Sequence, residues 1–167
     1  MTIAQSLLPE FDIQLKLTRT VLERVPEDKL EWRPHEKSFP LGLLALHIAR
    51  LLRWAIWTFD RTELDLASPE AQKERAEPPK SRAEILEAFD RNLAEARTAL
   101  ESASDADFMV GWTLKRGEMK MFTIPRAVVF RRMVMNHLIH HRAQLTVYYR
   151  LVGTPVPALY GPTADES

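Results

Sequence analysis

The stretch Asn136-His137-Leu138-Ile139-His140-His141-Arg142-Ala143-Gln144-Leu145 decides how this chain is read. Each residue of an α-helix advances about 100° around the axis, so His137 and His141, four apart, stack on one face about 40° from each other. Phe130, Met133, Gln144 and Tyr148 fall on the same stripe. An apolar stripe that carries two histidines faces the interior of a helix packing rather than water. His140 lies about 60° off it, and Asn136 and Arg142 point elsewhere. The helix is expected from Ile124 to Leu151. Pro125 suits its first turn, Gly153 its C-terminal cap, and Pro155 and Pro157 prevent continuation.

Three further segments show helical spacing. The first, Thr2 to Val25, carries Leu7, Leu8, Phe11, Leu15, Thr18, Val21 and Leu22, with Thr2 as N-cap and Pro26 as terminator. The second, Phe39 to Asp60, has Ser38 as its cap and Pro40 in its first turn. On it His47 shares a stripe with Leu43, Leu51 and Trp54, and so points inward. The third opens on the capping box Ser81-Arg82-Ala83-Glu84 and continues through Ile85, Leu86, Phe89, Leu93, Ala96 and Leu100. Between the second and third, Arg61 to Lys80 reads as a polar loop, a crossover or a cover. Trp112 to Thr123, with Arg116-Gly117 in its middle, reads as a short hairpin. The whole is an all-α four-helix bundle with a short hairpin before the last helix, a single domain over residues 1–167.

Composition narrows the function. Lys plus Arg and Asp plus Glu both number 23, so the chain has no net charge to draw it to phosphate backbones, and nucleic acid is not the expected partner. There is no cysteine, which excludes disulfides, iron–sulfur clusters, a thiolate zinc site and a cysteine nucleophile. Met1 to Asp12 carries Glu10 and Asp12 and lacks a basic leader. The longest apolar stretch, Leu41 to Ala49, is too short for a bilayer, so a cytoplasmic protein with no membrane contact is expected.

Three inward histidines on two helices are the candidate site. A buried imidazole without a partner costs about 1–3 kcal/mol for each unsatisfied atom. Coordination of a common cation satisfies one nitrogen on every ring, and a pair at i, i+4 joined by a third ring from a neighbouring helix makes a metal triad. The same three residues also fit hydrogen-bonded core histidines. The pair lacks the Glu of H-E-x-x-H, so it is no zinc-protease signature. Gln144 is placed to hold a ligand ring. Trp54, Phe130, Met133 and Tyr148 are candidate pocket walls or plain core. Arg50 is a candidate contact for an anionic substrate or half of a surface ion pair. His35 and His140 read as partly exposed residues without a ligand role.

The run from Asn136 to Leu145 resembles the last-helix motif of the DinB/YfiT-like superfamily. So does Leu41-Gly42-Leu43-Leu44-Ala45-Leu46-His47-Ile48-Ala49, preceded by Trp32-Arg33-Pro34, and the ending Gly153-Thr154-Pro155-Val156-Pro157 with Tyr160-Gly161-Pro162. The resemblance covers nearly the whole chain. It implies an up-down-down-up bundle, commonly a homodimer, and a divalent ion, nickel or zinc, on His47, His137 and His141. It further implies a metal-dependent enzyme that activates a low-molecular-weight thiol such as bacillithiol, mycothiol or glutathione for transfer or isomerisation. A hydrolase that uses water, and a non-enzymatic, stress-related protein that binds metal or small molecules, are the alternatives. Ala45, Ala49, Leu52 and Ile56 on the second segment, and Val128, Met135 and Ile139 on the last, are the faces expected to meet in a dimer or to be covered within the chain.

Overall fold

Thr2 caps the first helix. Its hydroxyl accepts from the Gln5 N–H, and the Gln5 side chain accepts from the Thr2 N–H in return. The computed structural model describes residues 1–73 and 77–167. Helix α1 spans Ile3–Leu22. It stops short of Val25 because Arg24 and Val25 already bond three residues back, in a turn.

The second segment is broken. Helix α2 covers Leu41–Arg50 and α3 covers Arg53–Asp60. At the break the N–H groups of Trp54 and Ala55 bond three residues back, and the Asn92 side-chain amide donates to the Ala49 carbonyl at 3.1 Å. Ser38 does not cap α2; Pro40 holds that position without a side-chain bond. The first N–H groups of α2 go instead to the preceding turn, Leu41 to the Trp32 carbonyl and Gly42 to the Leu30 carbonyl, both at 2.8 Å. Glycine suits that close approach, since a Cβ on Gly42 would lie 3.1 Å from the Leu30 carbonyl oxygen and side chain.

The expected loop after α3 holds structure. Strand β1, Glu63–Asp65, is followed by the short helix α4, Pro69–Lys73. Residues 74–76 of that loop lie outside the described residues. Helix α5 is Arg82–Ser102, and the capping box at its start is displaced by one residue. Ser81 accepts from the Glu84 N–H, but the Glu84 carboxylate accepts from Lys80 rather than from Ser81. A short helix α6, Asp105–Met109, leads into the hairpin, which is longer than expected. Strand β2, Gly111–Arg116, pairs antiparallel with β3, Met119–Pro125, around Gly117 at φ 57°. Strand β1 adds to β2 in parallel.

The fold is therefore mostly helical with a three-stranded sheet, and the all-α expectation is corrected. Leu64, Trp112, Leu114 and Val129 form a second core under the sheet, with Trp112 Nε1 donating to the Trp57 carbonyl at 3.1 Å. Half-buried Trp54 packs against both this cluster and the bundle core.

The last segment is also corrected. Ile124 and Pro125 belong to β3. The chain then passes through α7, Arg126–Val129, a π-helical stretch, Phe130–Asn136, and α8, His137–Val152, which Gly153 caps at φ 76°. Helix α5 packs on α1 and on α2–α3, and α8 packs on α1 and α2. Arg142 and Tyr149 donate to the Gln14 and Val21 carbonyls in the same chain order, so α1 and α8 run parallel. Arg19–Asp90 and Arg97–Asp12 pair in opposite order, so α5 runs against α1.

The faces expected to meet a second copy are largely covered within the chain. Ala45, Ala49, Leu52 and Met135 are buried in the core, and Arg142 is 2% exposed, while Val128 stays open. By length and composition alone, Leu41–Asp60 could cross a membrane, contrary to the reading of its shorter apolar stretch. Yet 61% of that window is buried inside the bundle, as befits a core helix.

Candidate metal centre

Helices α2 and α8 bring three rings together. The nitrogens that His47, His137 and His141 can offer all lie within 4.8 Å of one another. The His47 ring stands edge-on to His141 at 4.6 Å and to His137 at 5.4 Å between centroids. On α8 the i, i+4 spacing stacks the other two rings, with centroids 4.7 Å apart and their Nε2 atoms at 2.9 Å. All three residues are half-buried.

Each ring has a different surrounding. His141 Nδ1–H donates to Gln144 Oε1 at 2.7 Å, which leaves Nε2 with a lone pair directed at the cluster. His137 Nδ1 is buried and has no hydrogen-bond partner. His47 lies under the Phe39 ring at 5.9 Å, and Phe39 itself is 52% exposed at the rim.

Burial is the main cause that lowers the basicity of all three. His47 is held to about 4 by burial, then by His141, His137 and the Arg50 charge. His137 is held to about 4 by burial, then by His141 and His140, against a smaller opposing effect of the Met133 carbonyl. His141 is lowered by burial, with Gln144 opposing and His140 adding to it. At neutral pH the rings are uncharged, the state in which imidazole donates to a metal.

The residues fit a divalent cation. Two nitrogens at about 2.0–2.1 Å from one ion stand at most about 4.2 Å apart. His137 and His141 meet that limit as they stand, and His47 needs only a small side-chain adjustment. The 2.9 Å approach of the two Nε2 atoms brings both lone pairs to where one cation would sit. Among the described residues the cluster contains no carboxylate. Three neutral ligands would leave a bound ion its full charge, as catalytic rather than closed structural sites do.

The other candidates fall into two groups. Gln144 reaches His141, as its stripe position suggests. Phe130 does not join the site; the π stretch puts it in the bundle core, 5.6 Å from Phe11. Trp54 packs on Trp57 and Trp112, Tyr148 meets Trp32 edge-on at 5.7 Å, and Met133 packs on the sheet cluster. His35 and His140 are exposed. Phe39, eight residues before His47 and so within reach of its stripe, is not singled out by the residue pattern; the observed helix begins only at Leu41. The π stretch leaves no mark on composition.

The sequence matches the DinB family over residues 2–167. No curated protein gives a significant match to the sequence. Among solved structures, a DinB-like protein from Bacillus cereus ATCC 10987 superposes with TM-score 0.74 at 20% identity, over 95% of this chain and 98% of that one. YfiT from Bacillus subtilis, a probable metal-dependent hydrolase with an unusual four-helix bundle topology, gives 0.58 at 15% identity, over 87% of this chain and 89% of its own. A mycothiol-dependent maleylpyruvate isomerase gives 0.56 at 13% identity, over 92% of this chain and 64% of that chain.

Proposed function

The chain belongs to the DinB family, and on that premise we propose that it is a divalent-metal-dependent enzyme whose ion sits on His47, His137 and His141 and serves an external low-molecular-weight thiol. The single observation that carries the reading is the convergence of three uncharged imidazoles within 4.8 Å, with no carboxylate in the cluster. Imidazole suits nickel and zinc, the two metals we favour. A bound divalent ion supplies Lewis acidity that makes a thiol or a water a better nucleophile at neutral pH.

The chain's own residues do the rest. His47 from α2 and His137 and His141 from α8 hold the cation between two helices whose relative position is fixed by the core. Gln144 keeps the His141 lone pair turned inward. Phe39 shields one side of His47 from water. Arg50 adds positive charge beside His47 and favours an anionic reactant. Met133, Trp54 and Tyr148 are proposed as walls of the approach. With no cysteine of its own the chain would borrow its thiol, and such thiols are cytoplasmic reagents, which fits a cytoplasmic location. The parallel run of α1 and α8 supports the up-down-down-up order for the bundle.

A hydrolase is the second reading, favoured by the description of YfiT and by a site in which water can take the thiol's place. A passive binding protein is the third. Untagged protein loaded with nickel or zinc and desalted should keep about one ion per chain, and His141→Ala should not. Retention well below one ion removes both enzyme readings and the metal-binding form of the third. Thiol consumption and ester or amide cleavage, each compared between wild type and His141→Ala, then separate transferase, hydrolase and binder.

A further inference from the structure

Half-buried residues run along the seam between α2–α3 and α8, with His47, His137 and His141 at its middle. The two sides of the seam run antiparallel. The Trp32 carbonyl accepts the N–H of Leu41, the first residue of α2, and the Trp32 ring meets Tyr148 near the end of α8. His47 lies farther along α2 and meets rings farther back on α8. One end of the seam is closed by packing, because Trp54 and Met133 pack against the cluster under the sheet.

The other end is aromatic. Tyr148 stands on the ligand stripe, about two turns beyond His141. A long side chain on a helix leans back toward the N-terminus, here toward the three rings. The Tyr148 ring meets Trp32 edge-on at 5.7 Å. From the facing side, Phe39 reaches along α2 and lies 5.9 Å from the His47 ring. Trp32 and Tyr148 are half-buried, and Phe39 is 52% exposed. Aromatic faces and edges held in this way take a further planar ring by offset or edge-to-face contact. A molecule that directs one atom at the histidines therefore has its body led toward these three rings and away from the closed end.

We propose that Trp32, Phe39 and Tyr148 form an aryl subsite beside the triad, which selects a reactant with an aromatic or other planar apolar body next to its reacting atom. The inference rests on the metal reading of the triad and adds a substrate class to it. In the transferase this body belongs to the electrophile, and in the hydrolase to the substrate that water attacks.

Cobalt-loaded protein tests it, since imidazole sites accept cobalt(II) as they do zinc and a thiol that binds cobalt gives a near-ultraviolet absorption band. That band reads affinity without turnover. The probes are benzyl mercaptan and 2-mercaptoethanol, thiols of similar acidity, of which only the first carries an aryl group. Wild type should bind benzyl mercaptan about tenfold or more tighter, the effect expected when one ring leaves water. The ratio of the two affinities is the readout, so a general change at the metal cancels. In Phe39→Ala, a substitution at the exposed rim, the ratio should fall to about threefold or less, and in Tyr148→Ala likewise. If one variant does not fold, the other decides. A protein that holds cobalt yet binds the two thiols alike, or a ratio that persists in the folded variants, overturns the aryl subsite and leaves the metal reading standing. A wild type that takes up no cobalt removes the metal reading, and the subsite falls with it.

Discussion

Gln144 Oε1 accepts a hydrogen bond from His141 Nδ1 at 2.7 Å, one turn further along the same helix. The bond fixes the tautomer of the ring and its rotation, so that Nε2 faces His47 and His137. Gln144 is itself exposed, and its loss should leave the fold nearly untouched. We expect Gln144→Ala to weaken zinc binding by roughly 10–100-fold with little change in the melting temperature of the metal-free protein. Calorimetric titration checks this. Unchanged affinity would mean that packing alone orients the ring.

Stability should depend on pH in a definite direction. His47 and His137 are held to about 4 in the fold, below the ordinary value of 6.5. The unfolded chain therefore binds more protons between those values, and unfolding becomes easier as pH falls. Metal-free protein should keep its full stability above about pH 6.5 and lose part of it on the way down to pH 4. His47→Gln with His137→Gln should flatten that part of the curve. Chemical unfolding across this range settles the point, and a wild-type curve no steeper than the double variant's would remove the buried-neutral description of the rings.

Much of this arrangement is legible from residue spacing, and the exceptions have physical causes. The i, i+4 pair and the inward position of His47 follow from helical geometry alone, and the structure brings all three together. Strand β1 escaped because Glu63-Leu64-Asp65 has one apolar residue, too few for a period-two pattern, and its pairing with β2 is a long-range contact. The π stretch escaped because its sequence is ordinary for a helix; Phe130 was displaced from the ligand stripe as a result. Arg142 reads as a surface residue by type, yet it is 2% exposed, because the C-terminal tail and α1 surround it.

That buried guanidinium gives a third prediction. Arg142 donates to the Gln14 carbonyl at 3.0 Å, to Gln14 Oε1 at 2.7 Å, to Thr18 Oγ1 at 3.1 Å and to the Tyr160 hydroxyl, and none of these partners is a carboxylate. Burial of a charge without a counter-charge is costly. The two Gln14 oxygens would keep partners without it, since Thr18 Oγ1 donates to the carbonyl and Tyr160 to Oε1. Arg142→Met, which fills similar space, should thus stay within about 1 kcal/mol of wild type or exceed it. Arg142→Ala, which leaves a cavity, should cost roughly 2–4 kcal/mol. Urea unfolding of the pair distinguishes shape from charge; a large loss in the Met variant would show that the hydrogen bonds outweigh the burial.

Asn92 carries the last prediction, because it is the side chain that makes the break between α2 and α3 tolerable. Its amide donates at 3.1 Å to the Ala49 carbonyl, two residues after His47, and Asn92 is 3% exposed. Asp has nearly the same shape but, when ionised, no donor. Asn92→Asp at neutral pH should therefore set a buried carboxylate against a carbonyl oxygen and destabilise by more than the roughly 1–3 kcal/mol expected for an unpaired group. Lowering the pH protonates the carboxylate and returns an O–H donor, so the deficit relative to wild type at the same pH should shrink as the solution is acidified. The two proteins' unfolding free energies, compared pH by pH, carry the test. A deficit that stays constant would mean that the amide acts through its volume and not through its hydrogen bond to the helix end that presents His47.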